Sequence, residues 1–298
     1  MAGRAGPLLK RNRILIYKRF PAAQVCLPGI SGLSQKEEIK IMGKYFGTDG
    51  FRGEANVNLT VEHAYKVGRF LGWYYGQRAK KTADNPEGRC RVAIGKDTRR
   101  SSYMFEYSLV AGLTASGADV YLLHVTTTPS VSYVVRTEEF DCGIMISASH
   151  NPYYDNGIKV INGKGEKLEE DIIVEIERYL DGEMEELPFA LKDAIGRTTD
   201  YAAGRNRYIG YLISIATRSF KGKKVALDCA NGSASAIAKN VFDALGAETH
   251  VINNAPNGYN INVACGSMFA FALCWYVQAH PIAMLIVSFR PYFVHSCS

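Results

Sequence analysis

Hydrophobic residues recur along the middle of the chain in two alternating patterns, one with helical periodicity and one of short continuous runs typical of buried strands. This β-α-β-α-β order predicts a parallel sheet whose strands are covered on both faces. The predicted elements are a helix from Thr60, strands at 91–95, 119–123, 142–147 and 157–161, and helices at 101–116, from Pro129 and at 168–180.

Residues 224–252 repeat the layout of residues 91–123. In both segments an apolar strand ends in Asp and a polar turn, and the next helix closes on a Gly-Ala pair. Such self-similarity favours two related α/β domains, although any two βαβ units share much of this layout. We predict an α/β fold class, with tandem three-layer α/β/α domains, mostly parallel sheets and an incomplete second domain.

The two ends of the chain differ from its centre in composition. Residues 1–41 are rich in Gly, Pro and Arg without a clear period, which favours a disordered leader over an organellar transit peptide. Residues 263–298 contain one Arg and no Asp, Glu or Lys, and Gln278, His280 and Pro281 interrupt what would otherwise be a membrane span. We interpret this tail as an aberrant terminus. The predicted divisions are a leader at 1–41, a first domain at 42–183, a linker at 184–199, a partial second domain at 200–262 and an apolar tail at 263–298.

The net charge of +6 is concentrated at the ends of the chain. Residues 1–41 contribute +6 and residues 263–298 contribute +1, which leaves −1 for the body. The body therefore has no basic footprint, and we predict neither a nucleic-acid nor a membrane partner. The seven cysteines are scattered, with no CxxC pair and no zinc-like spacing, and there is no signal-peptide pattern, so we predict a cytoplasmic protein.

The segment SASHNPYYDNGIK at 147–159 contains the strongest chemical signal. Ser149 follows an apolar strand, so it is expected at the carboxyl edge of the sheet, where open α/β folds bind ligands. The Asn-Pro pair at 151–152 forces a turn, which brings the polar side chains of the segment into one loop. A serine hydroxyl is a weak nucleophile alone and needs a base, a metal or prior phosphorylation. The alternative is a structural hydroxyl that caps the loop.

This segment resembles the phosphoserine loop of the α-D-phosphohexomutase superfamily. The runs GKYFGTDGFRG at 43–53 and GKDTRRSS at 95–102 are similar to other first-domain motifs of that family, in the same order. The resemblance extends from Met42 to about Asn262. It implies a mutase that moves a phosphoryl group between positions 6 and 1 of a phosphorylated hexosamine or hexose through a bisphosphate intermediate. The residues of these motifs are most similar to those of the branch that acts on glucosamine phosphate.

The resemblance also implies roles for individual residues. Ser149 would be the phosphoserine, and its phosphate would bind Mg²⁺. Arg52 would contact the phosphoryl group or substrate, and Lys159 would place a positive charge beside the transferring group and help to move a proton. His150, Asn151 and Arg99 would bind substrate or phosphate, although the Asp97-Arg99 pair is equally consistent with a simple cap and ion pair at the start of a helix.

The sequence departs from the family pattern beyond Asn262. The Asp-rich DGDxDR metal loop of the family does not appear, nor do the third- and fourth-domain segments that select the sugar and hold its phosphate. We therefore expect a fragment with little or no activity of its own, since positioning dominates phosphoryl transfer. The alternatives are phosphomannomutase/phosphoglucomutase activity and a noncatalytic phosphosugar-binding fragment. The oligomeric state is left open.

Overall fold

The computed structural model describes residues 43–83 and 85–266, so the predictions for the leader at 1–41 and for the tail from 267 lie outside the described residues. The described part contains nine strands and six α-helices. The strands are β1 (Phe46–Gly47), β2 (Gly50–Glu54), β3 (Arg91–Lys96), β4 (Asp119–Val125), β5 (Cys142–Ile146), β6 (Asp155–Asn162), β7 (Thr198–Asp200), β8 (Lys224–Asp228) and β9 (Glu248–Ile252). The helices are α1 (Val61–Gly76), α2 (Arg100–Ala115), α3 (Thr128–Thr137), α4 (Glu170–Leu180), α5 (Ala202–Ser214) and α6 (Ala238–Ala244).

Seven strands form one sheet in the order β1-β2-β6-β5-β3-β4-β7. Strands β5, β3, β4 and β7 run parallel, as the β-α-β-α-β pattern predicts. Strand β6 is antiparallel to both β5 and β2. Only residues 147–154 connect β5 to β6, which is too short for a helical crossover and dictates the antiparallel turn. The sheet is therefore parallel at its centre and mixed on the side that carries the predicted serine loop.

Helices cover both faces of this sheet and confirm the three-layer α/β/α prediction. On one face α1, α2 and α4 pack over the strands through a large apolar cluster that includes Phe70, Leu109 and Ile176. On the other face α3 packs through Val131 and Val135. Helices α1 and α2 touch at Gly112, where an added Cβ would lie 2.2 Å from the Tyr65 carbonyl oxygen. The two helices can approach this closely because Gly112 has no side chain.

Strands β8 and β9 form a separate parallel pair connected through α6, which confirms the repeated βαβ layout. Helix α5 joins the two sheets, since Tyr208 on α5 packs against Ile237 and Val241. The segment predicted as a linker, 184–199, is not a bare connection, because β7 begins within it and extends the first sheet beside β4. The domain divisions otherwise stay predictions.

Helix and strand positions agree with the sequence patterns except where turns intervene. The helix predicted from Thr60 begins at Val61, and the Thr60 hydroxyl caps it by accepting from the His63 amide at 3.3 Å. Val61, the first residue of α1, is exposed, because it lies in the first turn, at the end of the α1 packing surface. Strand β2 was not predicted, since its glycines resemble a turn.

Candidate active site

The loop that follows β5 holds Ser149 at the carboxyl edge of the sheet, as predicted. The Ser147 amide donates to the Gly157 carbonyl at 2.9 Å, which ties the start of the loop to β6. The Ser147 hydroxyl in turn accepts from the Ser149 amide at 3.1 Å. Ser149 has a φ of 58°, a left-handed conformation that costs a non-glycine residue roughly 1–2 kcal/mol. The surrounding structure must therefore supply the contacts that hold this conformation.

Arg99 stabilises the serine loop through hydrogen bonds from a buried guanidinium. Its guanidinium has no exposed surface and forms a buried ion pair with Asp97, at the end of β3. The same guanidinium donates from Nη2 to the carbonyl oxygens of Ser149 at 3.2 Å and Asn151 at 2.7 Å. Asp97 also accepts from the Arg99 amide and from the hydroxyl of Ser102. This geometry favours the ion-pair interpretation of Arg99, and its contact with a substrate phosphate stays a prediction.

A buried polar network continues from Asp97 to β6. The Ser102 hydroxyl, which donates to Asp97, accepts from Asn156 Nδ2 at 3.0 Å, and Asn156 Oδ1 accepts from the Gly157 amide at 2.8 Å. Both Ser102 and Asn156 are fully buried. The end of β3 and the start of β6 are thereby fixed to each other directly beneath the serine loop.

Lys159 and Arg52 lie on neighbouring strands and on one face of the sheet. Lys159 on β6 opposes Met145 on β5, and Arg52 on β2 opposes Gly157, two residues from Lys159. Gly50 passes so close to β6 that an added Cβ would lie 2.5 Å from the Ile158 carbonyl oxygen and 3.1 Å from Lys159. The predicted pair of cations is therefore brought together beside the strand that leads to Ser149.

Lys159 is buried without a carboxylate paired to it. Burial, together with the nearby charge of Arg52, lowers its pKa to about 8, although the charges of Asp49 and Asp97 act in the opposite direction. Among the described residues, the Lys159 ammonium has neither a hydrogen bond nor an ion pair, whereas Arg52 pairs with Asp49 at 3.0 Å. A lysine with a pKa near neutrality can both hold and release a proton under physiological conditions.

His150 and Asn151 occupy the surface of the loop. His150 is exposed, and Asn151 is half-buried with its side-chain amide donating to Asp155 at 2.9 Å. The structure thus brings His150 and Asn151 next to Ser149. Their contact with a substrate stays a prediction.

Asn262 is a component of the site that sequence reasoning missed. Its amide Nδ2 donates to the carbonyl oxygens of Ser149 at 2.9 Å and Asn151 at 3.1 Å. Asn262 lies at the end of the segment that resembles the family, but nothing in the sequence indicated that an asparagine so far along the chain contacts the serine loop. Only the tertiary fold brings the two segments together.

The described residues contain no group of three His, Cys, Asp or Glu side chains that could hold a metal ion. Within residues 43–83 and 85–266 the side chains therefore do not form a complete site for the predicted Mg²⁺, a cation that prefers several oxygen ligands. In the same part of the chain, no helix combines the length and the apolar character needed to cross a membrane.

Comparison with known proteins identifies the domain that carries this site. Residues 43–187 match the family described as phosphoglucomutase/phosphomannomutase, alpha/beta/alpha domain I. The phosphoglucosamine mutase of Lachnospira eligens is 72% identical over 226 residues, which cover 76% of this chain. The chain therefore contains a domain of this family, and it is similar to a phosphoglucosamine mutase over three quarters of its length.

Other phosphohexomutases extend this comparison. The phosphoglucosamine mutase of Streptococcus pneumoniae is 48% identical over 232 residues, or 78% of this chain. The chain spans about half the length of the curated relatives it matches, 49% for the L. eligens protein and 50% for the S. pneumoniae protein. A crystal structure of a phosphoglucomutase/phosphomannomutase family protein from Burkholderia thailandensis shares the fold, with a TM-score of 0.57, 22% identity and coverage of 72% of this chain and 44% of that one.

Proposed function

We propose that this chain carries the phosphoserine half of a phosphoglucosamine mutase, which interconverts glucosamine 6-phosphate and glucosamine 1-phosphate. The observation that carries the proposal is the 72% identity over 226 residues to a protein of that name, across a segment that includes the whole Ser149 loop. The compartment we propose is the cytoplasm, and the partner we propose is a phosphorylated hexosamine.

In the proposed reaction, a phosphoryl group on Ser149 Oγ passes to a free hydroxyl of the sugar phosphate. The bond between phosphorus and Oγ breaks while a bond to the sugar oxygen forms; the sugar hydroxyl loses a proton, and the released Ser149 Oγ gains one. The resulting bisphosphate returns its other phosphoryl group to Ser149. Catalysis of such a transfer depends mainly on positioning and on charge around the phosphoryl oxygens.

Lys159 and Arg52 suit the charge requirements of this transfer. With a pKa of about 8, Lys159 in its neutral form can accept the proton of the sugar hydroxyl and afterwards act as a cation. Arg52 pairs with Asp49 through Nη2 and keeps 22% of its side chain exposed, so a phosphoryl oxygen can reach its guanidinium. Both groups lie on the strands adjacent to the serine loop.

We also propose Mg²⁺ as the cofactor, on the strength of the family resemblance. Bound to the phosphate of Ser149, the ion would neutralise charge on the transferring group. Because the described residues do not form a complete site for it, the roles proposed for Lys159 and Arg52 do not depend on the ion.

The decisive experiment measures transfer to Ser149. The 298-residue chain is incubated with glucosamine 1,6-bisphosphate, and intact and peptide mass spectrometry follow the appearance of phosphate. We expect one phosphate on Ser149 but little or no net mutase turnover by this chain. The phosphate should be absent in Ser149→Ala and retained in Ser132→Ala, whose hydroxyl donates to the Gly165 carbonyl.

Three results would contradict the proposal. Phosphate that remains in Ser149→Ala would place the chemistry elsewhere, and a chain that binds the sugar phosphate without ever becoming phosphorylated would be a noncatalytic binding protein. Faster phosphorylation of Ser149 by mannose or glucose 1,6-bisphosphate would show that the substrate is another hexose phosphate and not glucosamine phosphate.

A further inference from the structure

Asn262 contacts the serine loop through a single side-chain amide. Its Nδ2 lies 2.9 Å from the Ser149 carbonyl oxygen and 3.1 Å from that of Asn151. Both partners are acceptors, so only the nitrogen of the amide can face the loop, and the orientation of the Asn262 side chain is fixed by chemistry. Only a residue whose side chain carries a hydrogen-bond donor can therefore make this contact at position 262.

Arg99 binds the same two carbonyl oxygens. Its Nη2 lies 3.2 Å from the Ser149 oxygen and 2.7 Å from the Asn151 oxygen. Each carbonyl oxygen has two lone pairs, so each receives one donor from Arg99 and one from Asn262. The two carbonyl groups that flank His150 are thus held from two sides by two different parts of the chain.

Asn262 is itself anchored to the second βαβ unit. Its main-chain amide donates to the Ala230 carbonyl at 3.0 Å, just beyond the end of β8. The neighbouring Asn231 bonds both to Asn260, through its side chain, and to Thr98, whose hydroxyl donates to the Asn231 carbonyl at 2.5 Å. The amide of Asn262 is therefore presented to the loop by a braced turn.

We propose that Asn262 is a positioning residue for phosphoryl transfer at Ser149, through the bonds it donates to the Ser149 and Asn151 carbonyl oxygens. These bonds hold the peptide groups around Ser149 and so stabilise its left-handed conformation and the direction of its Oγ. The inference rests on the proposed function for its catalytic consequence. It assigns to the second βαβ unit a direct part in building the first domain's site.

The test replaces Asn262 with glycine. Asn262 has a φ of 62°, and glycine adopts this conformation readily, so Asn262→Gly removes the amide without straining the turn. The matched control is Ala264→Gly, which makes the same backbone change at an exposed residue with a φ of 49° in the same turn. Both variants are compared with the parent chain in two measurements.

The first measurement is hydrogen exchange of individual amides. We expect the Ser149 and Asn151 amides to exchange at least about tenfold faster in Asn262→Gly, while amides of the central strand β3 are unchanged. The second is the rate of Ser149 phosphorylation by glucosamine 1,6-bisphosphate. We expect that rate to fall about tenfold with an unchanged half-saturating concentration, because the loop is misplaced while the binding groups are intact.

The inference would be overturned if the loop amides exchanged at the parent rate in Asn262→Gly, or if Ala264→Gly changed exchange and phosphorylation equally. It would also be overturned if the faster exchange extended to β3, or if the phosphorylation rate stayed the same although the loop amides exchanged faster. A parent chain that takes up no phosphoryl group would instead contradict the proposed function, and the exchange comparison would still decide whether Asn262 holds the loop.

Discussion

Two βαβ units with the same layout in sequence meet around one loop, yet they are built very differently. In the first, β3-α2-β4, strand β3 has a neighbour on each side, and every residue of β3 after Arg91 is buried. In the second, β8-α6-β9, strand β8 pairs only with β9 within the described residues; β8 is buried after Lys224, but β9 is half-buried at best. Local sequence pattern specifies the unit, whereas the elements packed around it determine how deeply each strand is buried.

The ends of the two first strands also differ in charge. Asp97 at the end of β3 forms a buried ion pair with Arg99. Among the residues that the structure describes, Asp228 at the end of β8 accepts only from neutral donors, namely the amides of Ala230 and Gly266 and the side chain of Asn253. The first aspartate therefore fixes a cation beneath the serine loop, while the second fixes the turn that carries Asn262.

The largest expected effect comes from breaking the ion pair of the first unit. Arg99→Met leaves Asp97 buried without a cation and removes the bonds to the loop, which should lower the free energy of unfolding by about 3–5 kcal/mol. Arg178→Met removes an exposed pair with Glu175 and should cost less than about 0.5 kcal/mol. Urea denaturation of both variants measures the difference. Equal stabilities would show that the buried pair contributes nothing.

Removal of a buried cation that lies outside both units should raise the free energy of unfolding rather than lower it. Lys159 has a pKa of about 8 when folded and about 10.4 when unfolded, so the unfolded chain binds more protons between these values and stability due to this group rises with pH. Below pH 8, Lys159→Met should be more stable than the parent by up to roughly 3 kcal/mol. This difference in stability between Lys159→Met and the parent should vanish near pH 10.5.

The measurement for Lys159→Met is chemical denaturation at several pH values, with the exposed Lys239→Met as control for loss of a positive charge. A stability difference between parent and Lys159→Met that does not depend on pH would contradict the assignment of the lowered pKa. The same variant should lose transfer to Ser149, so that stability and activity change in opposite directions.

Matched core substitutions test whether the two units differ in how deeply their strands are buried. Val92 on β3 and Val225 on β8 occupy equivalent places in the two repeats, and both are buried. Val92→Ala should cost about 2–3 kcal/mol, because the surrounding layers cannot collapse into the cavity, whereas Val225→Ala should cost about 1 kcal/mol. Thermal and urea denaturation compare the two. A larger cost at Val225 would reverse the ranking of the units.

The smallest effect is expected at the bond between the units. Thr98→Val keeps the shape of the side chain but leaves the Asn231 carbonyl without its donor, at a cost of about 1 kcal/mol. Thr137→Val, which removes a bond within an exposed helical turn, is the control. Hydrogen exchange should show faster opening near Asn231 in Thr98→Val alone. If both variants behave alike, the two units are not coupled through Thr98.

Much of the fold follows from the sequence because its signals are local. Apolar runs and helical periods predict β3, α2, β4, α3 and β5 in order, and the Asn-Pro turn after β5 predicts the loop that presents Ser149. The repeated layout likewise predicts β8-α6-β9. These features depend on neighbouring residues, so the sequence alone was sufficient to predict them.

The tertiary structure decided what depends on residues distant in sequence. It placed Arg99 beneath the loop and Asn262 beside it, because both donate to carbonyl oxygens that only folding brings within reach. It made β6 antiparallel through a short turn and buried Lys159 without a carboxylate paired to it, and this burial lowers its pKa. The position of Ser149 in its loop was therefore predictable from the sequence, whereas the environment that fixes its conformation depends on long-range contacts.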